Sequence, residues 1–176
     1  ANNQAGYRLL ARYLSQALSS HFDGIEYIAP LRNIPSPLAA ARMILKRFGK
    51  ERYFDWAEPS LCRNYARQAE KKLKASNADV VLCMESKHGA FLQCEQPIVY
   101  WPDSLYMGMV DFYGWGKGLG KTTRAHLTRM DELAVANASI LAFPSQWAAD
   151  FTIERYGADP AKVKVIPWGA NEECER

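Results

Sequence analysis

No apolar run in this chain approaches the ~20 residues that a membrane span needs, and its first residues do not have the layout of a signal peptide. The four cysteines, Cys62, Cys83, Cys94 and Cys174, form no C-x-x-C pair and no metal-ligand spacing. That leaves no zinc or disulfide framework to read, and the expectation is free thiols in a reducing cytoplasm. Only three histidines are present, His21, His88 and His126. They are too dispersed to build a metal site or a Ser/His/Asp triad by spacing. Neither sign of charge dominates: the formal net charge is +3, which gives no reason to expect a nucleic-acid partner. There is no internal repeat and no low-complexity segment.

The chain also lacks a Walker A spacing, although Gly114-Trp115-Gly116-Lys117-Gly118-Leu119-Gly120-Lys121-Thr122 invites one. A P-loop needs a glycine, four residues, then Gly-Lys-Ser/Thr, so that successive N–H groups wrap the phosphates. Counting back from Gly120-Lys121-Thr122 puts Trp115 where that glycine must stand. The expectation is instead a loop over Asp103 to Gly120 whose aromatic residues, Tyr106, Phe112, Tyr113 and Trp115, pack or offer ring faces to a ligand.

What is present suits one ordinary globular domain: 176 residues, 48% hydrophobic and 23% charged, enough to bury a core. Leu9, Leu10, Tyr13, Leu14, Ala17 and Leu18 form one helical stripe. Ile25 to Ala29 reads as a short strand. Helices are expected over Ala39 to Phe48 and from Pro59 to about Ala75, each with lysines or arginines near its C-terminal end. Val80 to Met84 is apolar throughout, as a central parallel strand should be. Glu85 to His88 reads as a loop, followed by a short helix from Gly89 to about Leu92. Ile98 to Trp101 is the next strand, ended by Pro102. A helix from Thr122 to about Asn137 turns Leu127, Met130, Leu133 and Ala134 inward.

The densest signal runs from Ile140 to Gly169. Ile140 to Phe143 is a strand and Ser145 a helix N-cap. Trp147, Ala148, Phe151, Ile153 and Tyr156 follow at helical spacing, and Gly157 offers a left-handed stop. After the Asp159-Pro160 turn, Val163 to Ile166 is a second strand. Tight strand–helix–strand connections of this kind imply parallel strands in one sheet.

This stretch resembles the end of the N-terminal domain of a GT-B retaining glycosyltransferase of family-4 type. The features that carry the resemblance are Ser145, Trp147-Ala148-Ala149, Tyr156-Gly157, Asp159-Pro160, Lys162-Val163 and Pro167-Trp168-Gly169-Ala170-Asn171. The resemblance implies an α/β fold, a three-layer Rossmann-like domain with a parallel β-sheet, forming one half of the GT-B architecture. It implies that residues 1–171 are the acceptor-side domain and that 172–176 begin a hinge, the donor-binding C-terminal domain being absent. A domain of that family opens with a central strand, whereas this chain goes almost directly into its first helix, so a fragment of a longer polypeptide is expected.

The implied function is transfer of a sugar from a nucleotide-sugar donor, held by the absent domain, to a hydroxyl of a sugar or glycolipid acceptor. The family's Glu-x7-Glu pair occurs nowhere in these residues, so the chain alone is expected not to turn over. No metal or other cofactor is expected. In open α/β sheets ligands bind outside the carboxyl ends of the strands. That rule selects Glu85, Ser86, Lys87, His88, Ser104 and Ser145 for acceptor binding. Tyr100-Trp101-Pro102-Asp103-Ser104 is similar to a family segment lining the cleft, which makes Asp103 the candidate catalytic carboxylate. Gly6 would be the remnant of a loop facing the donor diphosphate. Basic residues from Lys46 to Arg52 and Lys71 to Lys74 suggest a peripheral contact with membrane headgroups, set against ordinary solvated helix faces. Two other readings stand beside this one: a non-catalytic Rossmann-like binding module, and a P-loop phosphotransferase.

Overall fold

The computed structural model of the chain describes residues 12–169. Gly6, Ala170, Asn171 and Cys174 lie outside them. The chain divides into two compact units, one spanning residues 30–167 and the other made of residues 1–29 with 168–176. In the second unit a helix covers residues 12–18, and the hydroxyls of Ser15 and Tyr27 are hydrogen-bonded. The strand expected over Ile25 to Ala29 does not form. Ile25 and Tyr27 are exposed rather than packed on a sheet face, and β-propensity alone does not make a strand there.

The unit of residues 30–167 is α/β. Its elements are α1 (Pro37–Arg47), a 3-10 turn (Asp55–Ala57), α2 (Pro59–Leu73), β1 (Val81–Cys83), α3 (Ser86–Gly89), β2 (Ile98–Tyr100), α4 (Tyr106–Phe112), α5 (Lys121–Asn137), β3 (Ile140–Phe143), α6 (Gln146–Tyr156) and β4 (Val163–Val165). Four parallel strands pair in the order β1-β2-β3-β4. The register sets Val81 beside Ile98, Cys83 beside Tyr100 and Tyr100 beside Leu141. Those residues share one face of the sheet and all are buried.

The other face differs. Leu82 and Ile140, which alternate with the buried set, are each 38% exposed, although Ala142 beyond Ile140 is buried. Topology explains why this face is only partly covered. Right-handed crossovers that advance in one direction place their helices on the same face, and a second helical layer requires the strand order to reverse. Among the described residues it does not reverse. Val81–Cys83, expected at the centre, is accordingly the edge of the described sheet.

The β3–α6–β4 unit forms as its sequence dictates. Ser145 Oγ accepts the Ala148 N–H at 3.3 Å, and α6 ends at Gly157, whose φ of 61° and ψ of 32° only glycine adopts without strain. Two other elements depart from the sequence reading. Gly89 ends the short helix rather than starting it, so Ser86, Lys87 and His88 stand on a helical turn with Glu85 at its N-cap. The expected loop from Asp103 to Gly120 contains α4, whose Tyr106, Met107, Gly108 and Val110 are buried. Tyr106, Met107 and Val110 join Ala57, Cys62, Leu127 and Met130 in the core. Gly108 belongs inside this helix because a Cβ there would stand 2.4 Å from Ser104 Oγ and 3.2 Å from the Phe151 ring.

Candidate functional site

The carboxyl ends of β1 and β2 bring two acidic segments together. Glu85 leaves β1, and its Oε2 accepts from Lys87 Nζ at 2.7 Å. Lys87 Nζ also lies 5.5 Å from the centre of the Trp56 ring, a second reason for it to stay in place. Asp103 follows β2. Partial burial raises its carboxyl above the ordinary range, and the nearby charge of Glu85 raises it further. Two carboxylates and one ammonium therefore share this end of the sheet. Such an array can orient hydroxyl groups and draw a proton from one of them.

His88 lies beside Glu85, with Nδ1 3.6 Å from Oε2, and its ring meets the edge of Tyr65. Desolvation, with the Lys87 charge second, pushes its imidazole down to about 4, against the opposing pull of Glu85. Neutral His88 can donate or accept a hydrogen bond but adds no charge at pH 7. A pH titration followed by NMR is expected to place its midpoint well below 6.5, the value of an ordinary histidine. A midpoint at or above that value would show that Glu85 pairs with a charged imidazole.

The serines of the candidate set point elsewhere. Ser86 is buried, and its hydroxyl donates to Asp131 Oδ1 at 3.3 Å. Ser104 is buried beneath α4, its Oγ without a hydrogen-bond partner among the described residues. The Ser145 hydroxyl is committed to the cap of α6. These three shape the loops, whereas Glu85, Lys87, His88 and Asp103 retain solvent access.

Sequence reasoning missed Asp131. It lies fully buried inside α5 and accepts four hydrogen bonds. Oδ1 takes the Tyr106 N–H (3.1 Å) and the Ser86 hydroxyl, while Oδ2 takes the Met107 N–H (2.9 Å) and the Tyr156 hydroxyl (3.1 Å). Asp131 thus ties the turn after Glu85, the turn after Asp103 and the end of α6 to one helix. A signal was present in the sequence: Asp131 lies four residues after Leu127 and three before Ala134, on the apolar stripe of α5.

The glycine-rich loop is not built for phosphate. Its carbonyls, rather than its N–H groups, face a ligand-like charge. Arg52 donates to the carbonyls of Trp115 (3.3 Å) and Lys117 (3.2 Å), and Arg124 to that of Gly116 (3.1 Å). The N–H groups of Gly116, Lys117, Leu119 and Gly120 are consumed by backbone carbonyls. A phosphate cradle needs the opposite polarity. Away from the strand carboxyl ends, a depression of about 360 Å³ is lined by Glu132, Leu141, Gly157 and Lys162. Among the described residues no group of His, Cys, Asp and Glu is placed to hold a metal ion. No family model, no curated protein and no solved structure matches this chain.

Proposed function

We propose that this chain is the acceptor-side, Rossmann-like domain of a retaining glycosyltransferase of GT-B architecture, a three-layer domain in its complete form. The observation that carries the reading is the β3–α6–β4 unit. The residues that resemble the family there occupy the positions their chemistry requires, Ser145 as N-cap and Gly157 as left-handed stop. The acidic array of Glu85 and Asp103 at the carboxyl ends of the strands supports it, because a sugar acceptor offers hydroxyls to carboxylates. In this reading Asp103 orients or deprotonates the attacking hydroxyl. Glu85, Lys87 and His88 hold neighbouring hydroxyls, and Ser86, Ser104 and Ser145 fix the loops. The sugar arrives on a nucleotide donor bound by the partner domain, with Gly6 toward the diphosphate, and no cofactor takes part.

The test is sugar transfer or donor hydrolysis by the full gene product against a panel of UDP-, GDP- and ADP-sugars. Turnover with one donor, reduced at least about tenfold in Asp103→Ala, is the expected result; general acid–base groups contribute on this scale or more. Turnover untouched by the substitution would return Asp103 to a loop residue and leave the family reading intact. No turnover with any donor would favour a Rossmann-like binding module.

A further inference from the structure

Short helices α3 and α4 follow Glu85 and Asp103, and neither can place itself. α3 has four residues and α4 seven, below the about 12 at which an isolated helix becomes even marginally stable. Their N-cap residues, Glu85 and Leu105, give no side-chain hydrogen bond to the first turn. The acceptor comes from α5 instead. Asp131 Oδ1 accepts the Tyr106 N–H at 3.1 Å and the Ser86 hydroxyl at 3.3 Å, and Oδ2 accepts the Met107 N–H at 2.9 Å. Ser86 adjoins Glu85. Tyr106 follows Asp103 by three residues, and Ser104 and Leu105 between them are buried. One carboxylate therefore grips the backbone beside both acidic residues.

An aliphatic side chain at this position of α5 would fill the space, but it could not accept from two turns at once. Asp131 is wholly buried, so its hold does not depend on what else covers the strand ends. What it holds is a repulsive pair. Burial raises the Asp103 carboxyl, and the charge of Glu85 raises it further. Like charges move apart unless the backbone beneath them is fixed. Lys87 bonds Glu85 at 2.7 Å from the same helical turn, so that bond does not set the distance to Asp103.

We propose that Asp131 is the positioning residue of this site, holding Glu85 and Asp103 at a fixed separation through α3 and α4. Its part in sugar transfer rests on the function proposed above; its hold on the two carboxylates does not, and the test reads that hold directly. In the full gene product the titration of Asp103 is followed by NMR of isotope-labelled aspartate. Glu85→Gln is expected to lower the Asp103 midpoint, because it removes the neighbouring charge. In an Asp131→Asn background that drop should shrink to less than about half, since the two turns are no longer held together. Reading the drop within one background cancels the charge lost at position 131 itself. Tyr156→Phe also removes a hydrogen bond to Asp131 but touches neither turn, so it should lower the Tm and keep the full drop. Ser86→Ala frees only α3 and should shrink the drop as well; it serves where asparagine prevents folding. An equal drop in the wild-type and Asp131→Asn backgrounds, no drop in wild type, or a drop lost equally in Tyr156→Phe would overturn the proposal. Where the wild type transfers sugar, kcat of Asp131→Asn falls at least about tenfold with donor KM unchanged. A shrunken drop in a protein that transfers no sugar would strike sugar transfer and leave the proposal standing. An unchanged drop beside an inactive Asp103→Ala would do the reverse.

Discussion

Asp131→Ala is expected to destabilise the fold by about 3–5 kcal/mol at pH 7, seen as a lowered midpoint in urea denaturation. The side chain is fully buried and satisfies two backbone N–H groups, of Tyr106 and Met107, and the hydroxyls of Ser86 and Tyr156. Alanine leaves both amides without an acceptor in a dry interior, at about 1–3 kcal/mol for each unsatisfied group, and adds a small cavity. Asp131→Asn keeps the volume but not the acceptors. Each carboxylate oxygen faces a backbone N–H, so the asparagine NH2 opposes a donor whichever way it is turned. A cost of about 2 kcal/mol is expected for asparagine, smaller than for alanine. A loss under about 1 kcal/mol for alanine would show that the four hydrogen bonds do not hold α4 in place.

The same residue makes stability depend on pH. Burial raises the Asp131 carboxyl from 3.8 to about 6, although four hydrogen bonds favour its charged form. The folded state therefore holds this proton more tightly than the unfolded state does. Its contribution to stability is full below the unfolded value, near pH 4, and is lost as pH rises through 6, a swing of about 3 kcal/mol. Both hydroxyls at the site can reverse and accept, so a protonated Asp131 has a partner for its proton. Asparagine does not titrate. The margin of wild type over Asp131→Asn should thus widen on going from pH 7 to pH 4, and the difference cancels other groups such as Asp103. A margin that narrows toward pH 4 would mean that the carboxyl is held ionised.

Local rules and long-range packing differ in how far the sequence discloses them here. Ser145, Gly157 and the two apolar runs around them determine β3–α6–β4 within a few residues of one another, and that unit was legible. Helix α2 was legible for the same reason: Leu61, Ala69 and Leu73 repeat along one buried face. Helix α4 was not. Its seven residues carry a glycine and three aromatic or β-branched side chains, all poor helix formers, and Asp131 satisfies its first amides from twenty-five residues away. At the candidate site, residue type and position after a strand identified Glu85, Lys87, His88 and Asp103 as solvent-accessible polar groups. The same rule could not separate them from Ser86, Ser104 and Ser145, because orientation depends on contacts with Asp131, Gly108 and Ala148. The partial exposure of Leu82 and Ile140 depends on strand order, which no local pattern encodes.

Gly89→Ala is the second large effect expected, and its sign sets two forces against each other. At an open helical position alanine stabilises by about 1 kcal/mol relative to glycine. At Gly89 the new Cβ would stand 2.5 Å from Tyr100 Oη and 2.7 Å from Cys83 Sγ. Both neighbours are buried on adjacent strands, so neither can swing into solvent. Tyr100 Oη is further held by its hydrogen bond to Asn137 Oδ1 at 2.9 Å, and Asn137 Nδ2 returns a bond to the Gly89 carbonyl. Overpacking of this kind costs about 1–3 kcal/mol, and displacing the tyrosine hydroxyl adds about 1 kcal/mol. The clash outweighs the propensity gain, and a net loss of about 1–3 kcal/mol with a lower Tm is expected. Adding Tyr100→Phe removes the nearest atom and should restore part of the loss, though Asn137 Oδ1 then lacks that donor. A Gly89→Ala variant as stable as wild type would mean that α3 can lift from β1 and β2, and Glu85 and Lys87 would then be free to move with it.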